Sequence, residues 1–401
     1  MRTTWNFYSA GRLHFGCGAV RHTADCLAPL RARRAFVVTD AALVAAGAVQ
    51  KVVDPLRAAG VEVQVFDGGQ PEPAIEIALA AAEDARRFGP DAIVGIGGGS
   101  NMDLAKITAV LVSHGGELSQ YFGWNNVPGP VLPIVCVPTT SGTGSEVSHA
   151  AVLTDTANAM KVSMLSNFLR PALAIVDPEL TLTCPPKATA DSGIDALTHA
   201  IEACTAVDYT DLDVPPEESA PYDGRHPLGD VLAEKAIRLI AEHLVTAVRE
   251  PDNLAAREGM SLAATLAGMA FSNCAVAVVH ALEYPLGGAL HVSHGAGNGL
   301  LLPYVMQFNM PARQETFARI AEWLGEDTKG LDQAAAAQRA IAAVERLRQA
   351  IGIPQRVREL GGTYDQLPEF AAKAFAIKRL MLLNPRLPSE ADLLSIYQAA
   401  W

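Results

Sequence analysis

The chain has 401 residues, half of them hydrophobic and 18% charged, with a formal net charge of −12 at pH 7. This length and apolar content predict a folded protein of more than one domain rather than a disordered chain. The acidic balance argues against nucleic-acid and membrane partners. Because six scattered cysteines form no CxxC pair and the N-terminus lacks a signal-peptide pattern, we expect a reduced, cytoplasmic protein.

The first half of the chain alternates short β-branched runs with alanine-rich stretches, which predicts a mostly parallel sheet with helices on both faces. The predicted strands are 34–39, 61–66, 92–96, 133–137 and 171–176, and the predicted helices are 41–59, 73–88 and 101–112. Later the patterns become helical, over 188–206, 227–249, 253–270, 273–286, 311–324 and 333–351. We therefore expect an α/β domain over residues 1–184 and an all-α domain over residues 185–401. The acidic, proline-rich segment 208–225 is predicted to be a surface loop.

A glycine-rich turn connects the predicted strand 92–96 to a predicted helix. The turn and the two charged residues that follow it are Gly97, Gly98, Gly99, Ser100, Asp103 and Lys106. Glycines let backbone N–H groups approach a pyrophosphate, and the helix N-terminus favours the anion. The alternative is a tight turn that binds nothing, but the position directly after a strand favours phosphate binding.

A second loop, Pro138–Glu146, also follows a predicted strand. Its hydroxyl side chains belong to Thr139, Thr140, Ser141, Thr143 and Ser145. These hydroxyls could bind phosphate and nicotinamide groups, or the loop could simply be solvated. Because ligands of open α/β sheets bind at the carboxyl ends of strands, two such loops indicate a dinucleotide site. Asp40 ends another strand, where its carboxylate would accept hydrogen bonds from the ribose of NAD or would cap the next helix.

Asp195 and His199 are spaced four residues apart, so on a helix they would lie on one face. The flanking residues are apolar, which makes a solvated carboxylate–imidazole pair the weaker interpretation. His280 and His294 could supply two further imidazoles. One carboxylate and three imidazoles suit Fe²⁺ or Zn²⁺ and leave room for a substrate oxygen. The sequence therefore favours a metal-assisted dehydrogenase.

Together these motifs resemble the iron-containing (group III) alcohol dehydrogenase family, over nearly the whole chain. The matching segments are Val38–Asp40, Gly97–Ser100 with Asp103 and Lys106, Pro138–Glu146, Lys161, Asp177–Thr181, Gly193–Ala203, His280 and His294–Gly295. The resemblance implies an α/β N-terminal dinucleotide-binding domain plus an all-α C-terminal domain, the dehydroquinate synthase-like architecture. It also implies a homo-oligomer, such as a dimer, that transfers a hydride between a small-molecule alcohol or hydroxy acid and NAD to give an aldehyde or ketone.

The resemblance further implies roles for individual residues. The metal, Fe²⁺ or alternatively Zn²⁺, would be held by Asp195, His199, His280 and His294. The contacts with NAD would be made by Asp40, Gly97, Gly98, Gly99, Ser100, Asp103, Thr139, Thr140, Thr143 and Lys161.

Tyr284 departs from much of the family, in which many members carry a histidine four residues after the third ligand. On a helix it shares a face with His280, so we expect it to point toward the site as a catalytic candidate. Tyrosine is a poorer proton carrier than histidine near neutrality, although it still donates a hydrogen bond. Tyr284 and the segment Tyr222–Asp230 also look like those of hydroxyacid–oxoacid transhydrogenases, which act on 4-hydroxybutyrate-type acids. Transhydrogenation is therefore the alternative function, ahead of a dehydroquinate-synthase-type lyase or a non-enzymatic NAD sensor.

Overall fold

The computed structural model describes residues 2–156, 160–212 and 220–401. The chain divides into two compact units, one over residues 8–184 and one over residues 185–401 together with the N-terminal segment up to Phe7. We expected that segment in the α/β domain. It groups with the helical unit because the Trp5 ring stacks on His226, with 4.3 Å between ring centroids, and Arg2 forms an ion pair with Asp223.

The α/β unit contains nine strands and five α-helices among its described residues. The strands are β1 (Leu13–Phe15), β2 (Arg34–Val38), β3 (Glu62–Phe66), β4 (Ala92–Gly97), β5 (Gly123–Trp124), β6 (Ile134–Pro138), β7 (Ala150–Asp155), β8 (Met160–Leu165) and β9 (Leu173–Val176). The helices are α1 (Thr23–Leu27), α2 (Ala41–Ala45), α3 (Ala48–Ala58), α4 (Ile75–Phe88) and α5 (Gly99–His114).

Six of the strands form a parallel sheet in the order β1-β9-β6-β4-β2-β3. Alternate residues of β2 belong to different apolar clusters: Phe36 and Val38 pack in one, and Ala35 and Val37 pack in the other. A strand covered on both faces must be apolar at every position, which explains the continuous β-branched runs in the sequence. The strand β2 has β3 on one side and β4 on the other, so the direction of strand order reverses there.

Two features of this unit differ from the sequence prediction. The expected helix 41–59 is interrupted between α2 and α3 at Gly47, whose φ of 73° is incompatible with a continuous right-handed helix. The strands β7 and β8, which we did not predict, pair antiparallel from Ala150↔Leu165 to Asp155↔Met160 and form a small second sheet with β5.

The described regular elements of the helical unit are all helices, built around one apolar cluster. The α-helices are α6 (Pro186–Thr205), α7 (Pro227–Arg249), α8 (Leu254–Phe271), α9 (Val278–Leu290), α10 (His294–Asn309), α11 (Gln314–Trp323), α12 (Gln333–Ala350), α13 (Leu367–Phe375), α14 (Lys378–Leu383) and α15 (Glu390–Ala399). The predicted fold class, an α/β unit plus an all-α unit, is confirmed.

The helix α9 begins at Val278, although the sequence pattern indicated a start at residue 273. The carbonyl oxygens of Asn273 and Cys274 accept hydrogen bonds from the backbone of Asp223 and Gly224, at 2.7 and 3.0 Å. That pairing holds residues 273 and 274 outside the helix. Of the predicted surface loop 208–225, residues 213–219 lie outside the described part of the chain.

Among the described residues, no helix is both long enough and apolar enough to cross a lipid bilayer.

Candidate active site

The helix α6 presents three ionisable side chains on one face. Asp195, His199 and Glu202 follow one another at spacings of four and three residues, and all three are buried. Removing a carboxylate or an imidazole from water is costly unless a partner compensates it. The partners of this face come from α9 and α10.

Asp195 lies beside two of the predicted ligands. One ligand atom each from Asp195, His280 and His294 lie within 4.8 Å of one another. The Nδ2 atom of Asn298 stands among them, 2.8 Å from Asp195 Oδ1, 3.3 Å from His280 Nε2 and 3.1 Å from His294 Nε2. A single amide group thus faces a carboxylate oxygen and two ring nitrogens. The three groups converge on one point as acceptors, which is the arrangement that a bound cation requires.

Hydrogen bonds at the Nδ1 atoms orient the rings of His280 and His294. Nδ1 of His280 lies 2.6 Å from Glu202 Oε2, and Nδ1 of His294 lies 2.5 Å from Glu283 Oε2. An ionised carboxylate can only accept, so each Nδ1 carries the proton and each Nε2 keeps its lone pair. Both lone pairs are directed at the convergence point.

Glu202 also receives two backbone hydrogen bonds, from Ala277 N at 2.9 Å and from Val279 N at 2.7 Å. These groups lie at the N-terminus of α9, where backbone N–H groups lack partners within the helix. Glu202 therefore ties α6 to the start of α9 and places His280 at the same time.

The charge balance of the cluster favours an ionised Asp195. Burial alone would raise the pKa of Asp195, but the neighbouring imidazoles and the Asn298 amide outweigh burial, and the pKa lies below its usual value. An ionised carboxylate beside two ring nitrogens that face the same point is a set of potential metal ligands. This donor set fits Fe²⁺ or Zn²⁺.

His199 lies at the edge of this group. Its ring stacks on those of Phe271 and His280, with centroid distances of 4.1 and 4.9 Å, and its Nδ1 is 3.9 Å from Asp195 Oδ2. Its role as the fourth ligand stays a prediction. The ring of Tyr284 is tilted against that of His294 at 6.1 Å, so the tyrosine lies beside the cluster, as expected from its spacing.

The predicted phosphate loop and the hydroxyl loop adjoin each other in the α/β unit. Gly97 at the end of β4 pairs with Pro138 at the end of β6, and Thr139 N donates to Gly97 O at 2.9 Å. A Cβ atom on Gly99 would lie 2.8 Å from Thr143 Cγ2, so the absence of a side chain at Gly99 allows this close approach. The α5 helix starts at Gly99, with its N-terminus at this edge of the sheet. The arrangement resembles an anion site at a helix N-terminus.

Several of the predicted cofactor residues are already engaged within the protein. Asp40 Oδ1 accepts from Leu43 N at 2.9 Å and thereby caps α2, and its Oδ2 accepts from Asn101 Nδ2 at 2.7 Å. Ser100 Oγ accepts from Glu72 N at 3.0 Å, and Lys161 Nζ lies 3.0 Å from Glu72 Oε1. The capping interpretation of Asp40 is therefore observed, and contacts of these residues with NAD stay predictions.

Asp103 supports the hydroxyl loop from within the unit. Its carboxylate accepts from Ser145 Oγ at 2.6 Å and from Val152 N at 3.0 Å. The fully buried Lys106 donates to Ser145 Oγ and to Ala150 O, both at 2.8 Å, and burial lowers its pKa. These bonds hold the loop after β6 against α5 and β7.

Three polar residues beside the candidate ligands, Glu202, Glu283 and Asn298, were not predicted from the sequence. Each follows a candidate ligand at helical spacing: three residues after His199, three after His280 and four after His294 respectively. The signal was therefore the i+3 and i+4 rule applied to polar residues beyond the ligands themselves.

Two protein-family models match this chain, one in each of its two units. The family model for iron-containing alcohol dehydrogenase matches residues 10–178, and that for the C-terminal part of the Fe-containing alcohol dehydrogenase family matches residues 223–401. The chain is 37% identical to the NAD-dependent methanol dehydrogenase of Bacillus methanolicus, over 98% of this chain and 99% of that protein. It is 40% identical to the 1,3-propanediol dehydrogenase of Klebsiella pneumoniae, over 96% of each.

Solved structures agree with these relatives. A crystal structure of 1,3-propanediol oxidoreductase superposes with a TM-score of 0.93 at 38% identity, covering 100% of both chains. The sulfoacetaldehyde reductase of Bifidobacterium kashiwanohense, solved in complex with NAD⁺, has a TM-score of 0.85 at 28% identity, covering 100% of this chain and 99% of that one.

A parallel-sheet unit, a helical unit and a buried carboxylate–imidazole cluster define an oxidoreductase of the metal-assisted class. The chain belongs to the iron-containing alcohol dehydrogenase family. The predicted family is thus confirmed, and with it the prediction that the chain is an enzyme of the iron-type alcohol dehydrogenases.

Proposed function

We propose that this protein catalyses NAD-dependent interconversion of a small alcohol or hydroxy acid and its aldehyde or ketone, with Fe²⁺ as the resident metal and Zn²⁺ as the alternative. The observation that carries the proposal is the convergence of Asp195, His280 and His294, whose ligand atoms lie within 4.8 Å of one another. The NAD-dependent methanol dehydrogenase similar to this chain supports the choice of cofactor.

Asp195, His280 and His294 would hold the ion, and His199 is proposed as the fourth ligand. When bound, a divalent ion would polarise the oxygen of the alcohol or carbonyl. Glu202 and Glu283 keep both ring lone pairs facing the ion site by accepting hydrogen bonds from the Nδ1–H groups. Around these groups the apolar cluster of the helical unit restricts water, which strengthens the charge interactions inside.

Tyr284 is proposed to hydrogen-bond the reacting oxygen or a water beside it. Its ring lies 6.1 Å from that of His294, and it packs against the apolar cluster. Tyrosine supplies a donor with little proton transfer near neutrality, because its unperturbed pKa is about 10. A water or a cofactor hydroxyl would then carry the proton to solvent.

The cofactor is proposed to lie along the carboxyl ends of β2, β4 and β6. Its pyrophosphate would bind the Gly97–Ser100 turn, its adenosine ribose would contact Asp40, and the threonines of the Pro138–Glu146 loop with Lys161 and Asp103 would complete the site. Support comes from the reversal of strand order at β2, which is where open α/β sheets bind their ligands.

The first test uses metal-stripped protein reconstituted separately with Fe²⁺ and with Zn²⁺. We expect metal-dependent formation of NADH with short alcohols, and a rate loss of at least about 10³-fold in Asp195→Ala and His280→Ala, since these remove charge stabilisation of the transition state. Binding of NAD, followed by fluorescence quenching, should be retained in both variants. Full turnover in both variants would contradict the metal assignment.

Transhydrogenation stays the second candidate function, suggested by Tyr284 and the segment Tyr222–Asp230. In that reaction NAD(H) remains bound while hydride passes from a 4-hydroxybutyrate-type acid to a 2-oxo acid. Product analysis with no free cofactor added separates the two functions. Exchange without NADH release would select the transhydrogenase, whereas NADH release with alcohols alone would select the dehydrogenase.

We also propose a cytoplasmic homo-oligomer, at least a dimer, from the family resemblance. Light scattering of the purified protein measures the mass directly. A mass equal to the 42.3 kDa of one chain would contradict this part of the proposal.

A further inference from the structure

Glu283 is a second buried carboxylate beside the candidate metal centre. It lies on α9, three residues after His280, and has no exposed surface. Space for it is created by Gly297 on α10, because a Cβ atom there would lie 2.8 Å from Glu283 Cγ. Helix packing is thus arranged to admit this carboxylate.

A buried carboxylate needs a strong hydrogen-bond partner. The Nδ1 atom of His294 lies 2.5 Å from Glu283 Oε2. The nearby hydroxyl of Tyr397 donates instead to the carbonyl oxygen of Leu282. Because Nδ1–H of His294 donates to Glu283, the Nε2 lone pair of His294 faces Asp195 and His280.

A buried carboxylate also faces the Nδ1 atom of the other histidine. Glu202 accepts from His280 Nδ1 and also from two backbone N–H groups of α9. Glu283 faces the Nδ1 atom of His294 in the same way, at 2.5 Å. Two buried carboxylates, Glu202 and Glu283, thus lie behind the two imidazoles, and Asp195 lies beside them.

We propose that Glu283 is a positioning residue that orients His294 and raises the affinity of this site for a divalent metal ion. The proposal rests on the metal site of the proposed function. A carboxylate that accepts a hydrogen bond from the second ring nitrogen of a metal-bound histidine fixes the orientation of the ring and makes the first nitrogen a stronger metal ligand. Loss of such a carboxylate lowers metal affinity about 10- to 100-fold.

The test is titration of metal-free protein with Co²⁺, whose visible absorption reports the ligands around it. We expect Glu283→Gln to weaken Co²⁺ binding about 10-fold or more and to shift the absorption spectrum. The metal-free variant should unfold at no lower temperature than the metal-free parent, because Gln keeps the shape of the side chain. Glu258→Gln on α8, which changes an exposed carboxylate of the same unit, serves as the control and should bind Co²⁺ like the parent.

A double-mutant cycle with His294→Ala tests whether Glu283 acts through that histidine. Adding Glu283→Gln to His294→Ala should cause no further loss of Co²⁺ affinity. An equal loss in both backgrounds would overturn the positioning role, even if Glu283→Gln proved unstable.

The Co²⁺ titration also distinguishes a failure of the role of Glu283 from a failure of the proposed metal site. If the parent protein binds no Co²⁺, the metal site itself is wrong. If the parent binds Co²⁺ and Glu283→Gln binds it as tightly with the same spectrum, only the role of Glu283 is wrong.

Discussion

At the scale of single residues, Asp40 shows how one side chain can satisfy two interpretations of a sequence. Its Oδ1 caps α2, and its Oδ2 receives the Asn101 amide from α5. Each carboxylate oxygen has two lone pairs, so these bonds leave acceptor capacity for ribose hydroxyls. Capping and cofactor contact are therefore compatible roles that can be separated by experiment.

We predict that Asp40→Ala raises KM for NAD about 10-fold and improves use of NADP, because a carboxylate repels the 2′-phosphate. Loss of the cap should also cost about 1 kcal/mol of stability. Asp332→Ala is the matched control, since Asp332 caps α12 through a 2.8 Å bond to Ala335 N. If Asp40→Ala lowers stability as Asp332→Ala does but leaves KM for NAD and the use of NADP unchanged, the ribose contact is contradicted.

The cysteines give a second test at this scale. Burial raises the pKa of Cys136 and of Cys274 to about 12, whereas Cys17 is exposed. The thiolate is the reactive form, so a raised pKa suppresses reaction at pH 8 and burial blocks access. We predict that DTNB modifies Cys17 rapidly in the native protein and all six thiols after denaturation.

The Cys17→Ser variant should lose the rapid phase of that reaction and keep the rest. Rapid modification of Cys136 or Cys274 in the native state would show that the core opens more readily than its burial indicates.

At the scale of elements, the candidate metal site formed by Asp195, His280 and His294 depends on how closely α10 approaches α6. Cβ atoms on Gly295 and Gly299, which are one helical turn apart, would lie 1.9 Å from the Asp191 carbonyl oxygen and 2.7 Å from Ile194 Cγ2. Small residues on one face of α10 therefore permit a contact that larger residues would prevent. That contact brings His294, the first residue of α10, next to Asp195.

We predict that Gly295→Ala destabilises the protein by about 1–3 kcal/mol and weakens metal binding, because α10 must move away from α6. Chemical denaturation and Co²⁺ titration measure the two effects. Gly129→Ala is the control, since a Cβ atom there would meet its nearest neighbour, His114 Cε1, at 3.9 Å. Unchanged stability and unchanged Co²⁺ affinity in Gly295→Ala would contradict the importance of this contact.

At the scale of the whole molecule, the proposed ion would link three helices of one unit. Asp195 belongs to α6, His280 to α9 and His294 to α10. An ion that binds these groups when folded, and not when unfolded, stabilises the fold by mass action. Removal of the ion should therefore loosen the helical unit rather than the sheet.

We predict that chelation lowers the unfolding temperature, with a loss of about 2.7 kcal/mol when the free metal had been at about 100 times its Kd. Differential scanning calorimetry with and without Co²⁺ measures the shift. Hydrogen exchange should locate the added flexibility in α6, α9 and α10. An equal shift in Asp195→Ala would show that the ion acts elsewhere.

Much of the architecture was readable from local patterns, because the causes are themselves local. Residues 35–38 of β2 and the whole of β4 carry no polar side chain, because both faces of the sheet are covered, and α6 shows a helical period. The carboxyl ends of parallel strands meet at one edge, so the Gly97–Ser100 turn and the Pro138–Glu146 loop were expected to be neighbours, as observed. The spacing of Asp195 and His199 likewise follows from the helix repeat.

Contacts between distant segments were decided by the tertiary structure. No periodicity indicates that Asp223 and Gly224 hold residues 273 and 274 outside α9, or that Glu202 binds His280. The pairing of Glu283 with His294 depends on the absence of a side chain at Gly297. The sequence by itself thus determined the fold class and the candidate ligands, because helix and strand periods are short-range. The tertiary packing decided which buried charged residues pair with each other, because such pairs depend on which helices come into contact.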